Sequence, residues 1–169
     1  MKGENGSIPA FARDILQTLE GAGHEAYCVG GCVRDTLLGR TPGDWDITTS
    51  ARPEETLALF GADALPTGLR HGTVTVRRPD GSAEVTTFRR DGDYTDHRHP
   101  ESVAFTDSLT EDLARRDFTV NAMALSLRGE LRDPFHGRED LAAGRIRCVG
   151  EPARRFGEDA LRILRGLRF

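Results

Sequence analysis

No apolar run in this 169-residue chain approaches the roughly 20 residues that a bilayer-spanning helix requires. The opening stretch, MKGENGSIPAFARDIL, lacks the charged-then-apolar order of a secretory leader. Cysteine is scarce: Cys28, Cys32 and Cys148 are odd in number and show no metal-ligand spacing. They read as reduced thiols of a cytoplasmic protein, with Cys28 and Cys32 packed around the first strand. A surplus of positive charge is also missing. Twenty-three Lys and Arg stand against 27 Asp and Glu, and the net charge of −4 argues against a general polyanion binder. The charge is uneven, however. From Leu141 onward seven arginines face three acids (Glu151, Glu158, Asp159), which suggests one phosphate-facing surface. With 37% hydrophobic and 30% charged residues, the length fits one globular domain with a sizeable core.

What is present concentrates in Val29 to Thr48, VGGCVRDTLLGRTPGDWDIT. Glu25 to Val29 predicts a buried strand running into Gly30-Gly31, where bare backbone N–H groups can approach a phosphate. A short helix follows. Arg34 on it can offer a forked guanidinium to a triphosphate, while Asp35 pairs with Arg34 or holds the loop. Asp44 and Asp46 flank Trp45 and precede the β-branched Ile47-Thr48. In an extended strand both carboxylates share one face and Trp45 takes the other. Two such carboxylates suit a pair of Mg²⁺ ions bridging nucleotide phosphates. Singly, a D-x-D is commonly two solvated acids and a Gly-Gly is commonly a turn.

Elsewhere the pattern predicts a helix over Ile8 to Gly21, with Ile8, Phe11, Ile15 and Leu19 on one face. Leu37 and Leu38 are expected to face the core, with Gly39 as the stop. Ser50 is a plausible cap for a helix containing Leu57, Leu59 and Phe60. Thr67 to Gly72 reads as a loop. Thr73 to Val76 and Ala83 to Phe88 read as a hairpin across Pro79-Asp80-Gly81. Glu84 on that hairpin is either an exposed strand acid or a third carboxylate beside Asp44 and Asp46. Arg89 to Ser102 is a polar loop by composition, and its Tyr94, His97, Arg98 and His99 carry no fixed metal geometry. A helix capped by Thr106 or Ser108 leads through Leu113 to Arg115-Arg116. A buried strand over Ala122 to Leu127, a short helix over Glu139 to Ala143 and an edge strand over Ile146 to Val149 complete the body. The last segment is helical by period, with Asp159, Arg162, Arg165 and Arg168 as a polar stripe that is either a salt-bridge ladder or a reader of base edges.

Three blocks in order, GG-x-VRD-x-LLG-x₄-D-x-D, Arg115-Arg116-Asp117-Phe118-Thr119-Val120-Asn121-Ala122 and Glu158-Asp159-Ala160-Leu161-Arg162, resemble the class II nucleotidyltransferases. That family holds the tRNA CCA-adding enzymes and the bacterial poly(A) polymerases. The resemblance covers nearly the whole chain from Tyr27. It implies an α/β (α+β) head of the polymerase-β-like type, a small mixed sheet flanked by helices. Residues 1–150 would form the head and residues 151–169 the beginning of a helical neck. It implies two-metal nucleotidyl transfer to the tRNA 3′ end from CTP and ATP without a template, with Asp44 and Asp46 as metal ligands and Glu84 as the third acid. Gly31, Arg34 and Arg116 would hold the triphosphate. Asp117, with Asn121, would orient the ribose or hold the loop. Asp159 and Arg162 would select C or A, with Arg165 and Arg168 as further nucleotide contacts.

The HGTV at His71 to Val74 resembles the CCA-adding branch, whereas the polymerases tend to carry a basic G-[RK]-[RK]-F stretch there. The polar loop after Arg89 resembles the one associated with the switch from C to A addition, and so favours CCA over CC addition. Because the family continues into body and tail regions, three alternatives stay open. They are a nucleotide-binding module with little turnover, a homodimer, and a head that works with a missing body and tail.

Overall fold

Ile8, Ile15 and Leu19 open the packing of the chain, as their three-to-four-residue spacing requires. The computed structural model describes residues 8–91, 103–153 and 161–168. Helix α1 (Ala10–Gly21) buries Ala12, Ile15, Leu16 and Leu19 against one face of a sheet. Strand β1 (Ala26–Val29) runs through the middle of that sheet and turns at Gly30 into α2 (Gly31–Leu37). Strand β2 (Asp46–Thr49), α3 (Pro53–Phe60) and the strands β3 (Ala64–Gly68), β4 (Thr73–Arg78) and β5 (Gly81–Thr87) follow. Strands β6 (Arg89–Asp91) and β7 (Val103–Phe105) pair as a separate ribbon. Helix α4 (Leu109–Ala114), short strands β8 (Ala124–Leu125) and β9 (Leu131–Arg132), α5 (Gly137–Ala142) and α6 (Leu161–Arg168) complete the order.

The sheet runs β3-β4-β5-β2-β1-β8-β9. It is mixed, as expected: β2 and β5 are parallel, and every other neighbouring pair is antiparallel. Trp45, Ile47, Val74, Val76, Ala83 and Val85 join α1 and α3 in the larger core. On the opposite face Val29, Leu113, Ala122, Ala124 and Val149 form a second cluster with Tyr27 and Leu109. Among the described residues one face of the sheet is covered by α1 and α3, while the second cluster covers the other face beside β1 and β8 and leaves Ser82 and Glu84 of β5 exposed.

The three thiols are buried, and none of them forms a disulfide. Burial raises Cys28 far above the ordinary thiol value and pushes Cys32 up to about 11. Both stay protonated and unreactive, packed around β1 as their sequence positions suggested.

Several expectations are corrected. Leu37 and Leu38 are 39% and 42% exposed, because α2 ends there and its core contacts come from Cys32 and Val33. Ser50 does not cap α3. Its hydroxyl accepts from the Glu25 N–H (2.9 Å), while Glu55 reaches back to the Arg52 N–H (2.8 Å) at the true helix start. Thr67-Gly68 belongs to β3, held by pairing with β4 despite a poor strand composition. Arg89 to Asp91, read as loop, is strand β6. The buried strand at Ala122 to Leu127 shrinks to Ala124–Leu125 because a 3₁₀ turn occupies Thr119–Asn121. Ile146 to Val149 makes only an isolated bridge, Cys148 to Phe118. Ser108 does cap α4, accepting from the Glu111 N–H at 3.2 Å. Tyr94, His97, Arg98, His99 and Asp159 lie outside the described residues. No helix among the described residues is long and apolar enough to cross a membrane.

Gly137 is the tightest backbone approach. A Cβ there would lie 2.1 Å from the Thr119 carbonyl oxygen, on the turn that follows Phe118. Gly137→Ala should therefore cost about 3 kcal/mol by overpacking, read as a lower urea midpoint. Gly21→Ala, with nothing within 4 Å of its added methyl, should be neutral or stabilise by up to about 1 kcal/mol.

Candidate active site

Alternation along the segment entering β2 places Trp45 in the core, 7% exposed, and leaves Asp44 and Asp46 open. Asp44 precedes the strand proper, yet extended pairing continues past Asp46, since the Glu84 N–H donates to the Trp45 carbonyl at 3.3 Å. Strand β5 then sets Glu84 directly beside Asp46 in parallel register. Paired residues of neighbouring strands project to one face, so the Glu84 carboxylate shares the face of Asp46. Burial and then repulsion from Glu84 raise the Asp46 carboxyl; Arg116 draws it down and Asp44 adds a further push. The residue keeps solvent access, so these fields are screened. Their pattern nonetheless brings the three acids and Arg116 into one electrostatic neighbourhood.

Asp44 and Asp46 line a cleft of about 860 Å³. Its walls carry Arg34, Arg89, Arg115, Arg116, Arg162, Arg165 and Arg168, together with Asp35, Asp91 and Asp117. The other large cleft, about 630 Å³ between α2, β9 and α5, has no carboxylate among its lining residues and offers nothing to a hard cation. Among the described residues no three His, Cys, Asp or Glu side chains gather closely enough to hold an ion by themselves. Mg²⁺ is commonly held by one or two carboxylates acting together with substrate phosphates, without an all-protein cage. Asp44 and Asp46 fit such a donor set.

The glycine turn is built as the sequence implied. Gly30 takes a positive φ of 78°, and a Cβ on Gly31 would meet the Arg34 guanidinium at 3.4 Å. Arg34 folds over this turn. Its Nη1 donates to Asn121 Oδ1 (2.7 Å), and its Nε and Nη2 reach Asp35 Oδ1 (3.0 and 2.9 Å). Asp35 therefore takes the pairing role. Asp117 serves the loop: its Oδ1 accepts from the Phe118 N–H (2.7 Å) and from Asn121 Nδ2 (3.3 Å). Its other oxygen accepts from Arg165 Nε on α6. Arg162 is only 5% exposed and donates from Nη2 to the Arg115 carbonyl at 3.2 Å. Gly166 lies over Phe118, where a Cβ would meet Cζ at 3.1 Å. Helix α6 thus turns its arginines toward the cleft, while Leu164 and Leu167 are 62% and 83% exposed.

Sequence reasoning missed His71, Arg89, Asp91 and Asp112. The first three form one end of the cleft, where Arg89 Nη1 donates to the His71 carbonyl at 3.2 Å and Nε lies 3.8 Å from Asp91. Asp112 is wholly buried beneath the arginines. Burial alone would raise its carboxyl, but Arg116, Arg115, the Arg89 N–H and the Thr48 hydroxyl together hold it below the usual carboxylate range. The stabilisation is present above the unfolded carboxylate value and is lost as pH falls through the depressed one. Spacing of i, i+3 and i, i+4 from Asp112 to Arg115 and Arg116 was the signal available in the sequence.

Residues 26–147 match the family of the Poly A polymerase head domain. The chain belongs to that family. The CCA-adding enzyme of Lactobacillus helveticus (strain DPC 4571) is 56% identical over 158 residues, covering 94% of this chain and 39% of the relative. That of Geobacillus stearothermophilus is 54% identical with the same coverage. The crystal structure of the Bacillus stearothermophilus CCA-adding enzyme in complex with CTP superposes with a TM-score of 0.85 at 47% identity, over 100% of this chain and 39% of that one. The Thermotoga maritima CCA-adding enzyme complexed with tRNA_CCA gives 0.73 at 27% identity, over 96% and 38%. The chain therefore has the class II nucleotidyltransferase head fold and spans about 39% of the length of the curated relatives it matches.

The raised Asp46 carboxyl makes a prediction for this head domain. The folded state binds that proton more tightly than the unfolded chain does, so ionising Asp46 costs stability as pH rises through the raised value. At pH 7 without divalent cations, Asp46→Asn should raise Tm by about 1–2 °C. Mg²⁺ should raise the wild-type Tm and leave the variant's nearly flat in a thermal melt.

Proposed function

We propose that this chain carries the catalytic head of a tRNA nucleotidyltransferase that adds CCA to the tRNA 3′ end from CTP and ATP. The observation that carries the reading is the parallel pairing of Glu84 with Asp46, which itself lines the arginine-rich cleft. It is supported by relatives of 52–56% identity that are CCA-adding enzymes. Asp44 and Asp46, with Glu84 beside them, would hold two Mg²⁺ ions together with the nucleotide. Once bound, these ions would supply Lewis-acid activation of the RNA 3′-hydroxyl and charge neutralisation of the departing pyrophosphate.

The protein's own part is positioning. Gly31 leaves room for the triphosphate to approach the backbone, and Arg34 and Arg116 grip its oxygens with guanidinium forks already held by Asn121 and Asp112. Asp117 fixes the loop beneath them and restrains Arg165. Arg162, three residues after Asp159 in sequence, presents donors to the base edge, and Arg168 adds charge along the same wall. A site of this kind selects C or A by hydrogen bonding, without a template strand. Gly72 of the HGTV stretch faces the Phe105 ring, where a Cβ would lie 2.6 Å from a ring carbon, so β7 packs directly on the segment that resembles the CCA-adding branch. We take residues 151–169 as the beginning of a neck after the head, and the three buried thiols, none in a disulfide, suit the reducing cytoplasm.

One observation favours a second reading. A chain spanning about 39% of the length of its relatives would, on this reading, bind nucleotide as a module and turn over poorly without the remaining regions. Incorporation into a tRNA lacking its 3′ end, with Mg²⁺, CTP and ATP, decides. The expected product is a defined CCA end, with Asp44→Ala and Asp46→Ala each lowering the rate roughly 100-fold or more while keeping the wild-type fold. A long A tail would favour a polymerase, a CC end a CC-adding enzyme, and CTP binding without extension the module.

A further inference from the structure

We infer that Asp112 is a positioning residue for the triphosphate: it fixes Arg116 at the phosphate end of the cleft and ties that arginine to the strand carrying Asp46. The inference rests on the reading that Arg116 grips the triphosphate. Asp112 is 0% exposed, and its two oxygens receive four donors from three separate elements. Oδ2 accepts from Thr48 Oγ1 on β2 (2.9 Å) and from Arg116 Nη2 (3.1 Å). Oδ1 accepts from the Arg89 N–H at the start of β6 (3.1 Å) and from Arg115 Nε (3.3 Å). Thr48 lies two residues beyond Asp46 on β2, on the same face, so one carboxylate oxygen links the acid strand to the arginine.

Among the described residues Arg116 lies within range of the counter-charges of Asp112 and Asp46. Its Nη2 is held by Asp112, while its Nη1 is directed at the glycine turn, 3.8 Å from where a Cβ on Gly30 would stand. Its charge is also felt at Asp46. Without Asp112 the guanidinium has a carboxylate cluster beside it that needs neutralising, and it would swing toward Asp46 and Glu84. There it would compete with cations for the acids and abandon the phosphates. A buried aspartate in this place therefore does more than satisfy α4. It keeps Arg116 off the acids whose charge the reaction needs.

The test separates triphosphate grip from general structure by comparing CTP with CMP, each titrated calorimetrically with Mg²⁺ into the 169-residue chain. Asp112→Asn keeps the shape and removes the charge. It should weaken CTP about tenfold while changing CMP less than about twofold. Arg116→Ala should produce the same selective loss, and adding Asp112→Asn to it should change CTP affinity less than about twofold further. Thr48→Val, which removes one donor and leaves the charge, should weaken CTP by about two- to threefold with CMP unchanged. Equal losses for CTP and CMP in Asp112→Asn, full additivity with Arg116→Ala, or no loss at all would each overturn the inference. If Asp112→Asn shows no cooperative melt, Thr48→Val decides alone, and absence of a selective CTP loss there overturns it. A wild-type chain that fails to bind CTP sinks the site reading together with this one. Binding that Arg116→Ala weakens and Asp112→Asn does not sinks this one only.

Discussion

Strands β2 and β5 run in the same direction, and that one parallel pairing sets Asp46 against Glu84. Like charges side by side on a sheet are unfavourable. The rest of the described structure is arranged around making that juxtaposition tolerable. The core side of β2 is anchored by Trp45 and Ile47, so the strand cannot rotate to relieve the repulsion. On the other face Thr48 is pinned by Asp112, and Arg116 brings compensating charge toward Asp46. What remains is a carboxylate group under electrostatic pressure that a cation would relieve, at the mouth of a cleft rich in anion-binding donors.

The cleft also explains the orientation of α6. An amphipathic helix ordinarily presents its apolar stripe to the protein. Here the arginine stripe turns inward, because Arg162 finds the Arg115 carbonyl and Arg165 finds Asp117, while Gly166 permits close approach to Phe118. Leu164 and Leu167 are left outward, while Leu161 lines the cleft. Periodicity reveals such a helix and its two stripes, but it cannot say which stripe docks, since that depends on partners more than forty residues away.

Much of the fold was legible where local pattern and tertiary environment agreed. Alternation at Asp44-Trp45-Asp46, the turn at Pro79-Asp80-Gly81 and the period of α1 all predicted their outcome, because in each the apolar residues face one continuous core. The misses share a different cause. Ser50 had the chemistry of a cap but was claimed by the Glu25 backbone from the neighbouring strand, a contact twenty-five residues away in sequence. Leu37 and Leu38 matched helical spacing but lie where α2 runs past the core edge. Thr67-Gly68 became strand through pairing with β4, not through propensity. In the cleft, Asp44, Asp46 and Arg34 come from one motif and Arg116 from a second block, and the structure lines one cavity with all four while pairing Glu84 with Asp46. Asp112 was overlooked because an acid in the first turn of a helix is so readily explained by the helix dipole.

The chemistry of the cations closes the account. Of the 23 Lys and Arg side chains, every one but Lys2 is an arginine. An ammonium is a compact charge on a flexible stem, whereas a guanidinium is a planar fork that can be held on one edge and still offer another. Arg34 is held by Asp35 and Asn121, Arg116 by Asp112, and Arg165 by Asp117, each through a specified nitrogen. Positive charge is therefore fixed in place before any anion arrives, and less side-chain freedom remains to be lost on binding. The buried and half-buried aspartates along the cleft wall follow from the same requirement: without them the arginines would collapse onto Asp44, Asp46 and Glu84 and cancel the negative charge that the site is built to keep.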